Sequence, residues 1–502
     1  MMLETNKTIF QFFHWYYSTE GNLWVHAAAQ APQLATLGVS HVWLPPAYKS
    51  AYGDTEPGYA VYDLYDLGEF DQKGSVRTRH GTKEEYLAAI ARFHENGVGV
   101  LADIVLNHKF GGDEAETISV RKVHHENRLE FVNEPELTES YTLFTFPGRG
   151  GKYSDFHWNH QCFTGITDGP YIGMVMNDHH NGEWEPLLEN ELGNFDYLMG
   201  NDIEFRNPQV RKELKKWGAW YVQTTGIDGF RLDALKHINP DFFPEWIKYL
   251  TTRFKKPFFC IGEYWQNNVN PLLQYIDVTG GVISLFDVPL HHNFHDASRI
   301  RENYDMRGLF TNTLVERYPD LAITFVDNHD TQPLQSLEST VDYWFKPLAN
   351  AIILLREQGV PCIFYPSVYE ARYFDEKEGQ EIYIELNAVP GLPGMMQVRA
   401  KLSYGEQRDY FDDPHLIGWT RSGISPFENS GCAVLLSNNG SGEKKMSLGA
   451  INAGRSWKNI NAEAAELVTL DENGDGLFKV NDSGWAVYID QSVQLAITGS
   501  LQ

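Results

Sequence analysis

Short apolar runs recur along the chain, each followed by a segment of helical period, and this alternation leaves few folds open. The runs are Thr8–Trp15, Val39–Pro46, Gly99–His108, Gly226–Leu235, Pro257–Trp265, Val282–Leu290, Ala322–Asp330 and Val360–Pro366. They are nearly continuous in apolar residues, the pattern of strands buried on both faces of a parallel sheet. Between them lie amphipathic stretches such as Leu23–Leu37, Lys83–Asn96, Val210–Thr224, Phe242–Phe254 and Val341–Glu357, several of which stop at a glycine (Gly38, Gly97, Gly226, Gly359), a common helix terminator. Eight such units imply an α/β fold whose sheet closes into a (β/α)8 TIM barrel.

Two stretches depart from the rhythm. Residues 109–206 are rich in Gly, Asn, His and aromatics with little helical period, and they read as an irregular, β-rich lobe inserted after the third strand. Beyond residue 404 the runs HLIGWTRSG, GCAVLLSNNG and GWAVYID alternate like strands between turns, which predicts a C-terminal antiparallel β-sandwich domain. The expected division is therefore a barrel over 1–108 and 207–404, a lobe over 109–206 and a C-terminal domain over 405–502.

Composition bounds the partners. With 42% hydrophobic and 22% charged residues the chain is ordinary globular protein, and no apolar run reaches the ~18 to 20 residues of a spanning helix. A net charge of −26 repels phosphate backbones and anionic headgroups, so neither nucleic acid nor a membrane surface is expected as a partner. The 29 Phe, 26 Tyr and 13 Trp offer flat rings to ligands with apolar faces and polar edges, sugars among them. Four widely spaced cysteines, Cys162, Cys260, Cys362 and Cys432, argue against a disulfide framework and a zinc cluster. The opening MMLETNKTIFQFFHWYY lacks the basic and apolar regions of a secretory signal, which makes the cytoplasm the expected address.

In such a barrel chemistry sits at the C-terminal ends of the strands. Four runs bring an acid there: Asp103 in DIVLNH, Asp233 in GFRLDALKH, Glu263 in IGEYW and Asp330 in FVDNHD. Arg231 and Asp233 are two apart, so the pleat puts them on one face, where the guanidinium holds the carboxylate ionised. Glu263 follows the apolar FFCIG and precedes Tyr264 and Trp265; partial desolvation there raises a carboxyl pKa and keeps the proton needed by a general acid. One acid alone reads best as a structural ion pair, but four together point to glycosidic cleavage, which needs two carboxyls of opposite protonation state.

The segments GYAVYDLYDLGEF, DIVLNH, GIDGFRLDALKH, IGEYW and FVDNHD closely resemble the signature regions of the α-amylase family of retaining glycoside hydrolases. ELGNFDYLMGNDIEF and YDMRGLF are similar to the liquefying bacterial α-amylases and their cytoplasmic relatives, and the resemblance runs from about Phe10 to Tyr488. It implies that Asp233 is the nucleophile, Glu263 the general acid/base and Asp330 a third acid that binds and distorts the sugar. It implies that Arg231 orients the nucleophile, that His108 and His329 hydrogen-bond the sugar, that Tyr59 stacks beneath it, and that Lys236, His237 and Trp265 complete the substrate contacts. Asp103 would brace Arg231 and the calcium loop. Ala234 follows the nucleophile as in members that cut α-1,4 bonds. The implied substrate is an α-glucan polysaccharide or maltooligosaccharide, handled by a monomer.

The resemblance also implies one structural Ca2+, held by Asn107, Asp196, Asp202 and the His237 carbonyl. Further cation sites of the liquefying enzymes align here with Thr164, Glu185, Glu204 and Arg206; an arginine beside a cation is unfavourable, so one calcium is expected and not a cluster. DENGDGLFKVND, from Asp471 to Asp482, fits an EF-hand loop superficially, but its strand-like flanks favour a hairpin turn. His291, His292 and His295 lack the acid of HExxH and read as rim or surface residues. Three rivals stand beside endo-hydrolysis of α-1,4-glucan: a maltooligosaccharide-specific or transglycosylating relative, a non-catalytic sugar-binding relative, and a metal-dependent barrel hydrolase. The last needs a histidine cluster on the first strand, where His14 stands alone.

Overall fold

The computed structural model describes residues 5–462 and 467–496; residues 463–466 and 497–502 of the expected C-terminal domain, and 1–4 of the barrel, lie outside the described residues. Eight parallel strands close a barrel: β1 (Ile9–Gln11), β2 (His41–Leu44), β3 (Gly99–Ile104), β4 (Gly229–Leu232), β5 (Phe259–Gly262), β6 (Ser284–Phe286), β7 (Ala322–Phe325) and β8 (Val360–Phe364). Each pairs with its neighbours in sequence, and β1 pairs with β8 to complete the ring.

Helices follow the strands and cover their outer faces: α1 (Leu23–Thr36), α2 (Lys83–Glu95), α3 (Pro208–Thr225), α4 (Phe242–Phe254), α5 (Val269–Thr279), α6 (Val288–Ile300), α7 (Lys346–Leu355) and α8 (Leu392–Lys401). Their ends follow local chemistry. Thr82 and Glu85 form a capping box on α2, Asn207 caps α3 with Pro208 at its first position, and Gly226 ends α3 in the left-handed region at φ 71°. The observed strands are shorter than the apolar runs. Val282–Leu290 yields only Ser284–Phe286 as strand, because Asp287 accepts a hydrogen bond from the Leu290 amide and starts α6. Where the runs continue past the strands, their apolar residues form the floor of the rim loops.

The inserted region forms a six-stranded antiparallel sheet from His108–Lys109, Asn201–Ile203, Phe163–Asp168, Tyr171–Val175, Glu114–Val123 and Glu136–Leu143. His108 pairs with Asp202 in this sheet, so the lobe takes its first strand directly from the end of the third apolar run. Toward the C-terminus a six-stranded antiparallel sheet, which includes Leu416–Arg421, Cys432–Ser437 and Gly484–Asp490, accompanies a two-stranded one of Gly442–Ser447 and Asp475–Val480. Arg356 fastens this part to the barrel through two 2.8 Å bonds to Asp409. Among the described residues no helix flanks the Asp471–Asp482 segment, and Lys445 lies 3.1 Å from Asp475. The expected hairpin is corrected: the turn links Leu467–Thr469 to Asp475–Val480, which belong to different sheets. Among the described residues no helix is long and apolar enough to cross a membrane.

Candidate active site

Arg231 is the hub of the rim. It lies inside β4, fully buried, and its Nη1 donates to Asp103 Oδ1 at 3.0 Å and to Asp233, while Nη2 donates to Glu263. Asp103 sits on β3, in register with Arg231; Asp233 and Glu263 follow β4 and β5 by one residue. Gly262 leaves room for the Leu235 side chain against β5, because a Cβ there would meet Leu235 Cδ1 at 2.3 Å. Asp103 is also held by Tyr59 Oη at 2.8 Å and Trp43 Nε1 at 3.0 Å, which accounts for a buried carboxylate that cannot reach water. Next to Asp233, Ala234 lies in the left-handed region at φ 53°, ψ 36°, where a small side chain is strained less than a β-branched one.

Burial raises three of the rim carboxyls. Burial pushes Glu263 up to about 8, against the pull of Arg231, with the charges of Asp233 and Asp330 adding to the rise. Burial likewise raises Asp330 to about 7 and Asp103 to about 6. The acidic groups around it, Asp103 and Asp233 foremost, hold Arg231 well above the usual range against the cost of burying it. Glycosidic cleavage requires one carboxyl that keeps its proton at neutral pH, the state burial favours at Glu263, and a second carboxyl placed to attack, the position Asp233 takes on the same guanidinium.

Asp330 lies five residues past the end of β7, its amide bonded to Asn328 Oδ1 at 2.9 Å. His329 Nδ1 meets Gln11 Nε2 at 3.1 Å. An amide nitrogen only donates, so Nδ1 accepts and the ring proton lies on Nε2, which faces Asp330 Oδ2 at 3.4 Å. Burial lowers the His329 pKa well below its ordinary value. The Tyr59 ring stacks on His329 at 5.2 Å and on Trp15 at 5.6 Å. His108 is buried with Nε2 on the Tyr59 carbonyl at 2.9 Å. Trp265 is half-buried against His291, His292 and Phe325.

Two expected substrate contacts are engaged by the inserted lobe. Lys236 donates to Glu191, and His237 Nδ1 meets the Phe195 carbonyl at 2.6 Å. Sequence reasoning missed three parts of this arrangement: the Arg231–Glu263 pair, the Trp15 ring, and a clasp in which Tyr264 Oη and Gln266 Nε2 each donate to Glu189 at 3.0 Å. Only Trp15 carried a local signal, the aromatic run after the first strand. Of the three histidines read as rim or surface residues, His291 departs from a surface position: it is buried, with Nδ1 on the Val326 carbonyl at 2.7 Å and Nε2 on Ser339 Oγ at 2.9 Å.

Where lobe and barrel meet, Asn107 Nδ2 lies 3.2 Å from Asp202 Oδ1, and Asp196 Oδ2 accepts from the Glu185 amide at 3.0 Å. Asn107 Oδ1 and Asp202 Oδ2 are buried without a hydrogen-bond partner. Burial and mutual repulsion push Asp202 well above its ordinary range, and burial raises Asp196 to about 7. Hard oxygens left unmet in a negative environment fit a calcium ion. The neighbouring Glu204 is instead taken by Arg206 through 2.7 Å bonds from Nε and Nη2. Among the described residues no group of three or more His, Cys, Asp or Glu side chains forms a metal cage.

Comparison with known proteins bears on this geometry. Residues 29–381 match the family described as Alpha amylase, catalytic domain. The chain is 45% identical to the cytoplasmic α-amylase of Escherichia coli over 97% of its length and 99% of that protein's. It is 40% identical to a glucan 1,4-α-maltohexaosidase of a Bacillus species, over 97% and 93%. The α-amylase of Geobacillus thermoleovorans, solved in complex with acarbose, shares the fold at a TM-score of 0.63 and 17% identity, covering 97% of this chain and 99% of that one. The chain belongs to the α-amylase family of glycoside hydrolases.

Proposed function

We propose that the protein is an α-amylase that hydrolyses internal α-1,4 bonds of starch, glycogen or maltodextrins with retention of configuration. The observation that carries this reading is the single guanidinium of Arg231 bonded to both Asp233 and Glu263, with burial holding the proton on Glu263. In the proposed first step Glu263 protonates the glycosidic oxygen as it leaves, and Asp233 attacks the anomeric carbon to form an ester-linked glycosyl intermediate. In the second, Glu263 takes a proton from water, which attacks the same carbon and releases Asp233. Two inversions restore the α configuration. Asp330 and the Nε2 proton of His329 bind sugar hydroxyls, Tyr59 and Trp15 offer their rings, and His108, Lys236, His237 and Trp265 line the remaining subsites.

Asn107, Asp196, Asp202 and the His237 carbonyl would hold one Ca2+, which would supply positive charge beside the buried oxygens that Arg206 leaves without a partner. The division into barrel, inserted lobe and C-terminal domain at residues 108/109, 206/207 and 404/405 is part of the same reading. A cytoplasmic address is supported by the name of the E. coli relative, and a monomer is expected. A maltooligosaccharide-specific activity is the second reading, favoured by the similarity to a maltohexaosidase; the product ladder from amylose separates the two.

The roles are tested with Asp233→Asn and Glu263→Gln. Each is expected to lower kcat on starch by roughly 10³-fold or more, with the chain still folding to a cooperative thermal transition, and NMR of the first product of the unaltered protein is expected to show the α-anomer. An initial β-anomer, or near-normal turnover in either variant, overturns the assignment.

A further inference from the structure

A hairpin of Ala371–Lys377 and Gln380–Leu386 leaves the barrel one short helix after β8. Its inner face is rooted in the active-site loops. Tyr373 stacks on Tyr16 with centroids 4.0 Å apart and planes 12° from parallel, and its hydroxyl donates to the Pro333 carbonyl at 3.0 Å. Tyr16 donates to Asp375 and accepts from Gln335 at 2.8 Å. Tyr16 adjoins Trp15, and Pro333 and Gln335 lie on the loop that carries Asp330. Strand alternation sends the neighbouring side chains to the opposite face. There Phe374 stands directly across from Tyr383, centroids 4.9 Å apart, with 60% and 50% of their surfaces exposed. Arg372, paired with Glu385 at 3.0 Å, and the acids Glu376 and Glu381 border the two rings.

We propose that Phe374 and Tyr383 form a second α-glucan site, a docking platform outside the catalytic cleft. Three features of the hairpin select this occupant. The acidic border on a chain of net charge −26 disfavours polyanions. Two rings are far smaller than the ~800 Å² per partner of a stable protein interface. A neutral polymer with flat apolar sugar faces matches the rings, and its hydroxyls match the carboxylates and guanidinium at their edges. Because the other side of the hairpin is fixed to the loops of Trp15 and Asp330, a polymer held here stays beside the cleft and raises its effective concentration there; an oligosaccharide too short to reach both sites gains nothing. The inference rests on the α-glucan reading above.

The test is Phe374→Ala/Tyr383→Ala, made in the active chain and in a Glu263→Gln background that binds without cleaving. In the inert background the dissociation constant for glycogen, read by affinity electrophoresis, is expected to rise roughly five- to tenfold. In the active chain KM for glycogen rises to match while kcat/KM for maltopentaose and the melting temperature stay constant, and Phe374→Tyr/Tyr383→Trp restores polymer binding. Unchanged glycogen binding overturns the proposal, as does an equal loss on maltopentaose, which would place the rings in the cleft. A dimer in light scattering that the double alanine variant dissolves also overturns it, since the pair would then be a protein contact. If the active chain cleaves neither glycogen nor maltopentaose, the proposed function fails, while electrophoresis of the inert chain still reads the platform.

Discussion

Two buried carboxylate clusters lie at the C-terminal end of the barrel, and their negative charge is met in different ways. At the first, Asp103, Asp233 and Glu263 share one guanidinium, Tyr59 and Trp43 complete Asp103, and none of the three leaves a buried oxygen unpartnered among the described residues. At the second, Glu185, Asp196, Asp202 and Glu204 face one another, Arg206 binds Glu204, and oxygens of Glu185, Asp202 and Asn107 remain unpartnered. An internal cation that reaches every carboxylate fixes the geometry and leaves one acid to carry a proton. A cluster whose guanidinium is hydrogen-bonded to one member, with oxygens of the others left unpartnered, has room for a cation from outside. The first arrangement suits chemistry and the second suits holding two parts of the fold together.

The largest effect is expected from Arg231→Met, which strips the first cluster of the guanidinium its three acids share. Removing one partner of a buried ion pair costs about 3–5 kcal/mol, and loss of positioning is expected to lower kcat/KM on starch by roughly 10³-fold. Calorimetry and hydrolysis assays read the two losses. Retained activity in a folded variant would show that Arg231 is not the organising charge.

For the second cluster the corresponding experiment is removal of the proposed calcium. An ion present at about a thousandfold over its dissociation constant stabilises the native state by about 4 kcal/mol, so chelation is expected to lower the melting temperature by several degrees. Asp202→Asn is expected to abolish most of the difference between calcium-loaded and chelated samples. A melting temperature insensitive to calcium in the unaltered protein would mean that the unpartnered oxygens are met in some other way.

The first cluster also sets a pH limit. Glu263 acts as an acid only while protonated, and burial raises its pKa from the ordinary carboxyl range to about 8. Activity is therefore expected to persist through neutrality and to fall as pH rises through about 8, visible as the descending limb of kcat/KM. A limb near the ordinary glutamate value would show that Arg231 outweighs burial.

Much of the first cluster was legible in the chain. The period-two spacing of Arg231 and Asp233 placed them on one face, and the apolar FFCIG before Glu263 foretold its desolvation. The Arg231–Glu263 bond was not legible, because it depends on β4 and β5 lying in register, Arg231 opposite Ile261. The clasps from Glu189 and Glu191 to the loops after β5 and β4 join positions 75 and 45 residues apart in the chain, and no local pattern reports such contacts. His291 misled because its helical spacing says nothing about depth: α6 turns it inward to Val326 and Ser339. The strands read too long for a related reason, since an apolar residue is equally at home in a strand and beneath a rim loop.

The smallest effect on activity, and the most direct comparison of the clusters, is expected from Arg206→Gln. It removes the guanidinium that now satisfies Glu204 and leaves that carboxylate beside Glu185 and Asp196, where burial, and then repulsion from Asp196 and Glu204, already raises Glu185. Hydrogen bonds between charged groups contribute about 1.5–3 kcal/mol, so metal-free stability is expected to fall by about that much. The same change converts a closed pair into free hard oxygens, and isothermal titration is expected to show a second, weaker calcium per chain where the unaltered protein takes one. Cleavage of maltopentaose is expected to stay within about twofold, because no residue of this cluster is bonded to Arg231. A stoichiometry that stays at one would mean that Arg206 does not stand in for an ion, and that the two clusters differ only in how many oxygens they bury.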